Sequence, residues 1–259
     1  MTDAAAAPRA ALGLYSVREH FERDAAGTLA HVADLGYRLV EPYAVAQFAD
    51  RLPDLLIEAG LSSPVALAGP RGVRATDSIA GAAAIGATTL IIPGSDPELW
   101  TSMAGLDSLL AEFAVIADTA AASGVRIGYH NHDFEVRTRI AGAPALEYFA
   151  SHLPDNVVLE VDVYWFERGG ARAVDFLSRY GDRVRFLHVK DASAGRDGGL
   201  SDDVFDQVPA GDGILAWGAV LGAAPQVEAA IVEFDEYRGD VFAAAGSALR
   251  TLEKEGAVA

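Results

Sequence analysis

Four bursts of metal- and proton-active side chains mark the second half of the chain. They are Tyr129-His130-Asn131-His132 with Glu135 just beyond, Glu160-Val161-Asp162, His188-Val189-Lys190-Asp191, and Glu233-Phe234-Asp235. Each follows a short apolar or β-branched run, so each falls at the end of a predicted strand. Alternation along a strand sets Glu160 with Asp162, and His188 with Lys190, on one face. Carboxylates and imidazoles gathered at one mouth would repel or pay for burial unless a cation sat between them. A carboxylate and imidazole set without sulfur suits one divalent metal ion, Mn²⁺, Mg²⁺, Co²⁺ or Zn²⁺. Taken singly, an Asp after a strand serves as readily as a helix cap, and a lone His as a hydrogen-bonding residue. Four successive strand ends of this kind favour the metal.

The elements that must carry these residues alternate along the chain. Strands are expected at Ala11–Val17, Tyr37–Val40, Pro64–Leu67, Thr88–Ile92, Val125–Tyr129, Val157–Val161, Val184–Val189 and Ala229–Phe234. Helices are expected between them at Thr28–Leu35, Ala46–Ala59, Asp77–Ile85, Leu106–Ala122, Pro144–His152, Ala171–Tyr180 and Trp217–Leu221, with Val241–Leu252 closing the chain; several stop at a glycine, such as Gly36, Gly60, Gly86 and Gly124. About eight strand–helix pairs imply a parallel sheet, and that number in ~250 residues favours a closed α/β (β/α)8 TIM barrel over an open sheet. In such a barrel the chemistry sits at the carboxyl ends of the strands, where these residues fall. An open nucleotide-binding sheet would carry a glycine-rich first turn, yet the first strand leads into Ser16-Val17-Arg18-Glu19, and no P-loop occurs.

Composition narrows the partners. The 259 residues are 51% hydrophobic, enough for one large core, and 37 acidic against 20 basic residues leave a formal charge of −17. That field opposes nucleic acid and anionic membrane surfaces. With no cysteine, disulfides and thiolate metal sites are excluded, and a cytoplasmic location is the expectation. Residues 1–10 read as a disordered N-terminal tail without signal-peptide character, and 11–259 as a single barrel domain. No apolar run is long enough to span a bilayer. A homo-oligomer is left open.

Gly128-Tyr129-His130-Asn131-His132-Asp133-Phe134-Glu135, Leu159-Glu160-Val161-Asp162-Val163-Tyr164-Trp165 and Leu187-His188-Val189-Lys190-Asp191 resemble motifs of the xylose-isomerase-like superfamily of sugar phosphate isomerases and epimerases. Gly211-Asp212-Gly213 followed by Trp217 resembles the loop before that family's last strand. The resemblance runs from Gly13-Leu14-Tyr15-Ser16-Val17-Arg18 to Val232-Glu233-Phe234. It implies one metal held from the last four strands, usually by Glu, Asp, His and Glu, with Asp162, His188 and Glu233 on the last three places. At the first place many epimerases read Tyr-Glu-Asn-His where this chain has Tyr129-His130-Asn131-His132. Glu135 folding back from the loop, or His130 itself, would then fill that position. The resemblance also marks Tyr15, Arg18 and Glu41 as substrate contacts; Arg18 could equally cap a helix or pair with Glu41. Trp165, with Phe166, is either an apolar wall against a sugar ring or a shield at the rim. A histidine common near strand three is replaced by Leu67-Ala68-Gly69.

The implied chemistry is isomerisation or epimerisation of a sugar or keto-sugar through an enediolate, with His130 or His132 as base and Lys190 holding a substrate oxygen or countering negative charge. The alternative for Lys190 is a salt bridge to Asp191 or to another carboxylate at the mouth. The substrate is a small sugar or polyol, and the lack of a glycine-rich phosphate cradle speaks against phosphorylation. A metal-dependent lyase or dehydratase acting on an inosose or 3-keto-glycoside is the alternative, since histidine-rich fifth strands occur among such relatives. An endonuclease IV-like barrel would bind three zincs, which needs more histidines than the six here, and would need a basic track for DNA. A non-catalytic sugar-binding barrel would not need candidate ligands on all four late strands.

Overall fold

Eight strands, β1 (Arg9–Gly13), β2 (Leu39–Glu41), β3 (Val65–Leu67), β4 (Thr89–Ile92), β5 (Arg126–His130), β6 (Val157–Asp162), β7 (Val184–Val189) and β8 (Ala229–Val232), form one sheet in the order β2-β1-β8-β7-β6-β5-β4-β3. Every ladder in it is parallel. The structure is a computed structural model, and it describes residues 6–69, 73–196, 199–201 and 203–259. The two end strands meet: the Val40 N–H donates to the Ser62 carbonyl at 3.0 Å and the Leu67 N–H to the Pro42 carbonyl at 2.8 Å. This nearly closes a (β/α)8 TIM barrel.

A main helix follows each strand, α1 (Ala25–Asp34), α2 (Leu52–Ala59), α3 (Ala75–Ala84), α4 (Met103–Ala121), α5 (Ala145–His152), α6 (Ala173–Tyr180), α7 (Trp217–Ala223) and α8 (Val241–Lys254), with short extra helices at Arg18–Arg23, Phe134–Arg137 and Val163–Arg168. The longest, α4, shows why. Ser102 Oγ accepts from the Gly105 N–H at its start, and Leu106, Leu109, Leu110, Phe113, Ala117 and Ala120 bury one stripe. Gly124, with φ of 72°, turns the chain away just beyond its end. None of the helices of the described residues is long and apolar enough to cross a membrane.

Inside the barrel the alternation of β-strands stacks two tiers. The lower tier is apolar: Ala11, Leu39, Val65, Leu67, Ile91, Val158, Phe186, Ala229 and Ile231 pack together. One inward step further along the strands the character changes to Glu41, His130, Glu160, His188 and Glu233, all buried. Two glycines make room. A Cβ at Gly13 would meet Glu233 Cγ at 3.3 Å, and one at Gly128 would run into the Ile91 side chain.

The elements differ from the sequence expectation where local packing overrides pattern. The first strand begins at Arg9, whose N–H donates to the Glu228 carbonyl at 3.0 Å, so Arg9 and Ala10 belong to the barrel and not to a tail. Residues 1–5 of that expected tail lie outside the described residues. The strand stops at Gly13, and Leu14–Val17 coil into a 3-10 turn that buries Leu14 and Val17. Helix α2 starts at Leu52, not Ala46, because Pro53 is tolerated only in a first turn. A short helix, Val163–Arg168, follows β6 directly and was not expected.

Candidate metal centre

Register brings the polar tier together. Across β5 and β6, His130 pairs with Glu160; across β6 and β7, Asp162 pairs with His188. Glu41 arrives from β2 and Glu233 from just past β8. The His188 ring is at the centre. Its Nε2 lies 2.7 Å from Glu41 Oε2 and 3.0 Å from Glu160 Oε1, and its Nδ1 lies 2.9 Å from Glu233 Oε2 and 4.0 Å from Asp162 Oδ2. The His130 ring sits beside it at 4.5 Å between centroids, with Nδ1 3.0 Å from Glu160 Oε1 and Nε2 3.7 Å from Asp162 Oδ2.

Asp162 serves as cap and as cluster member at once. Its Oδ1 accepts from the Trp165 N–H at 2.8 Å and starts helix Val163–Arg168, which leaves Oδ2 facing the cluster. Asn131 locks the position: its Oδ1 accepts from the Asp162 N–H at 3.1 Å and its Nδ2 donates to the Asp162 carbonyl at 3.2 Å. Lys190 Nζ is 2.8 Å from Asp162 Oδ2, 2.6 Å from Glu233 Oε2 and 2.9 Å from Asp235 Oδ2. Gln207 then clasps Asp235, donating from Nε2 at 2.9 Å and accepting the Asp235 N–H at 3.0 Å.

The charges explain what this arrangement needs. Asp162, Glu233 and Asp235 surround the permanent cation Lys190, Glu41 and Glu160 lie against His188, and all but Asp235 are fully or almost fully buried. Burial pushes Glu41 well above the usual carboxylate range, helped by the Glu160 charge, and also raises Asp162. Burial opposes charge on Glu160 too, but His188 and His130 bring it down to about 2. Glu233 is likewise held low by His188 and Lys190 against its burial. The same carboxylates hold His188 and Lys190 well above their ordinary values, although burial alone would lower both. Glu41 Oε1 and Glu160 Oε2 are buried with no hydrogen-bond partner among the described residues. Such a site accepts a cation.

The donor spacing fits one. Asp162, His188 and Glu233 offer ligand atoms within 4.8 Å of one another, as do His130, Glu160 and His188. Ligands about 2.1 Å from an ion are separated by roughly 3.4 Å along a tetrahedron edge. The 3.7, 4.0 and 2.9 Å separations from His130 Nε2 to Asp162, Asp162 to His188 Nδ1 and His188 Nδ1 to Glu233 bracket that value. The Lys190 ammonium leans on the same two oxygens, Asp162 Oδ2 and Glu233 Oε2, so it competes with a divalent ion for them.

The family model of the xylose isomerase-like TIM barrel matches residues 29–233. The chain belongs to the xylose isomerase-like TIM-barrel family. Among solved structures, a sugar phosphate isomerase/epimerase from Parabacteroides distasonis is 20% identical with a TM-score of 0.76, over 95% of this chain and 98% of that one. A xylose isomerase-like TIM-barrel protein from Mycobacterium smegmatis in complex with magnesium is 16% identical with a TM-score of 0.72, over 98% of each chain. A D-allulose 3-epimerase from Methylomonas sp. is 15% identical with a TM-score of 0.71, over 96% of this chain and 98% of that one. No curated protein matches the chain.

Other residues singled out in this xylose isomerase-like barrel fall elsewhere. Glu135 stays out of the cluster. It is fully buried on the outer side of β5, where Tyr129 Oη donates to Oε1 at 2.6 Å and the His132 N–H to Oε2 at 2.9 Å. The turn Phe134–Arg137 carries it there, so the expected fold back toward the metal does not occur. Glu41 lies within the cluster against His188, and Arg18 pairs with Glu236 at 3.1 Å and not with Glu41. The Arg18 guanidinium also covers the Tyr15 ring at 4.3 Å, and Tyr15 stands at the surface. Asp191 does not pair with Lys190; it accepts from the Gly211 and Leu215 N–H groups and Trp217 Nε1, which shapes the Gly211-Asp212-Gly213 loop.

His132 and Trp165 also line open space. They border a cavity of about 720 Å³ with Val73, Leu99, Ile116 and Phe134, which the clustered carboxylates do not line. Among the described residues, His132 Nδ1 is buried without a hydrogen-bond partner, as is Trp165 Nε1. Burial, then the neighbouring His130 and Lys190, lower His132 to about 3, so its ring is neutral near pH 7.

Glu135 yields a pH prediction. Burial pushes its carboxyl up to about 7 from 4.5. A raised carboxyl stabilises the fold most below pH 4.5, and that contribution is lost as pH rises through 7. The expected loss is about 3 kcal/mol across that window. Urea unfolding of Glu135→Gln should lack this part of the slope; equal pH profiles in the two proteins would count against the assignment.

Proposed function

We propose that this family member is a divalent-metal-dependent isomerase or epimerase of a small sugar or keto-sugar. One observation supports this most: Asp162, His188 and Glu233 present donors at one buried mouth, with His130 Nε2 3.7 Å from Asp162 Oδ2 and the His132 ring 5.1 Å from that of His130. His130, Asp162, His188 and Glu233 would hold the ion. A divalent ion there would polarise a substrate carbonyl and counter the negative charge growing on its oxygen.

The remaining steps belong to the side chains. His132 offers its unpartnered ring nitrogen to the proton on the carbon next to the carbonyl, as a general base. Lys190 keeps a positive charge beside the reacting region, fixed by Asp162, Glu233 and Asp235. Trp165 supplies an apolar wall for one sugar face, and Tyr15 with Arg18 contacts the substrate from the β1 side. Return of the proton to the neighbouring carbon gives an isomer, and return to the opposite face gives an epimer. A lyase acting on an inosose or 3-keto-glycoside is the second reading. It is favoured by a histidine where the fifth strand of epimerases carries a carboxylate, and by a cavity beyond His132 with room for a leaving group.

Solvent exchange tests this reading. Metal-loaded protein should place deuterium from D₂O on the carbon beside the carbonyl of a ketohexose or an inosose, and chelated protein should not. Exchange at the same rate without metal, or none with any probe at full metal occupancy, would refute it.

A further inference from the structure

His130 and His188 come from different strands, yet a single carboxylate oxygen meets both rings. Glu160 Oε1 lies 3.0 Å from His130 Nδ1 and 3.0 Å from His188 Nε2. The other nitrogen of each ring faces the opposite way, His130 Nε2 toward Asp162 Oδ2 at 3.7 Å and His188 Nδ1 toward Glu233 Oε2 at 2.9 Å. Strand register produces this layout. His130 lies beside Glu160, His188 lies beside Asp162, and Glu160 and Asp162 occupy successive inward positions of β6. The two acids therefore bracket the two rings.

A neutral imidazole carries one N–H and one lone pair, whereas a carboxylate only accepts. A carboxylate against Nδ1 of one ring and Nε2 of the other draws the N–H to those atoms. Glu233 Oε2, 2.9 Å from His188 Nδ1, holds a proton there in the same way; a divalent ion taken up by Asp162 and Glu233 would replace it and leave the lone pairs on His130 Nε2 and His188 Nδ1. Histidines that bind metals use their second nitrogen in this way, and the partner sets both tautomer and ring angle. Glu160 is fully buried, so it is not placed to meet a substrate.

We propose that Glu160 is a positioning residue that makes His130 and His188 a matched pair of ligands for one divalent ion, completed by Asp162 and Glu233. This rests on the metal reading above. The two rings depend on Glu160 unequally. His188 Nε2 has a second carboxyl partner in Glu41 at 2.7 Å, whereas Glu160 is the hydrogen-bond partner that His130 Nδ1 has among the described residues. Glu160 should therefore act mainly through His130.

Calorimetric titration with Zn²⁺ of the wild type, Glu160→Gln, His130→Ala and the double variant tests the proposal. The wild type should bind about one ion, and Glu160→Gln should bind roughly 10–100-fold more weakly. In the His130→Ala background the same change should cost less than about threefold, since its route is gone. A residue that merely held the fold together would show no such dependence. Nitrogen NMR of the Zn²⁺-loaded wild type needs no variant and should find the N–H on Nδ1 of His130 and on Nε2 of His188. Unchanged Zn²⁺ affinity in a folded Glu160→Gln protein, an equal loss in both backgrounds, or the opposite tautomer on either ring would overturn this proposal and leave the metal reading standing. A wild type that takes up neither Zn²⁺ nor Mn²⁺ would remove both.

Discussion

His188→Ala is expected to lower stability by about 3–5 kcal/mol and to release the metal. The ring is fully buried and touches Glu41, Glu160 and Glu233 within 3.0 Å. Removing it leaves three buried carboxyls without their common partner, and Lys190 reaches only Glu233 among them. The cost is the desolvation of the groups left behind, which exceeds the worth of the pair itself. Replacing a charge partner inside a closed barrel also opens a cavity that the strands cannot collapse to fill. Urea unfolding with elemental analysis of the folded fraction measures both effects. A variant of near wild-type stability that still carries metal would show that His188 does not organise the centre.

His132→Ala is expected to leave metal bound and to slow carbon-hydrogen exchange by about a hundredfold or more, the usual scale of general-base catalysis. His132 lies outside both donor groups, and its Nδ1 has no hydrogen-bond partner among the described residues, so its removal should spare the ligands. His130→Ala should behave differently and lower metal occupancy as well as exchange. The two readouts, taken together, separate a base from a ligand. Full exchange in both variants on a verified substrate would exclude a histidine base, with the barrel unaffected.

The barrel was legible in the sequence because its evidence is periodic: apolar runs of strand length, amphipathic helices between them and glycines at the stops. Asp162, His188 and Glu233 stood out because each lies at the end of a strand, and alternation alone puts them on the inner face. The partnership of Glu160 with both histidines was not readable in the same way, because it depends on the offset between β5, β6 and β7. Glu41 lies 147 residues from His188 along the chain, and only barrel closure makes them neighbours. Glu135 misled because sequence distance from β5 does not say to which side a one-turn helix carries it, and Tyr129 draws it outward. Gln207 carries no signal of its own; it acts by holding Asp235. Helix Val163–Arg168 was hidden because its aromatic run follows β6 without a break, and the Asp162 cap starts it.

The most direct test of the metal centre is elemental analysis after Mn²⁺ loading and gel filtration of the wild type, Asp162→Asn and Glu233→Gln. Each substitution keeps size and removes one anionic donor, so the protein should lose the charge without losing the shape. About one ion per chain in the wild type and most of it gone in each variant is the expected result. Full occupancy in both variants would contradict the centre described for this barrel.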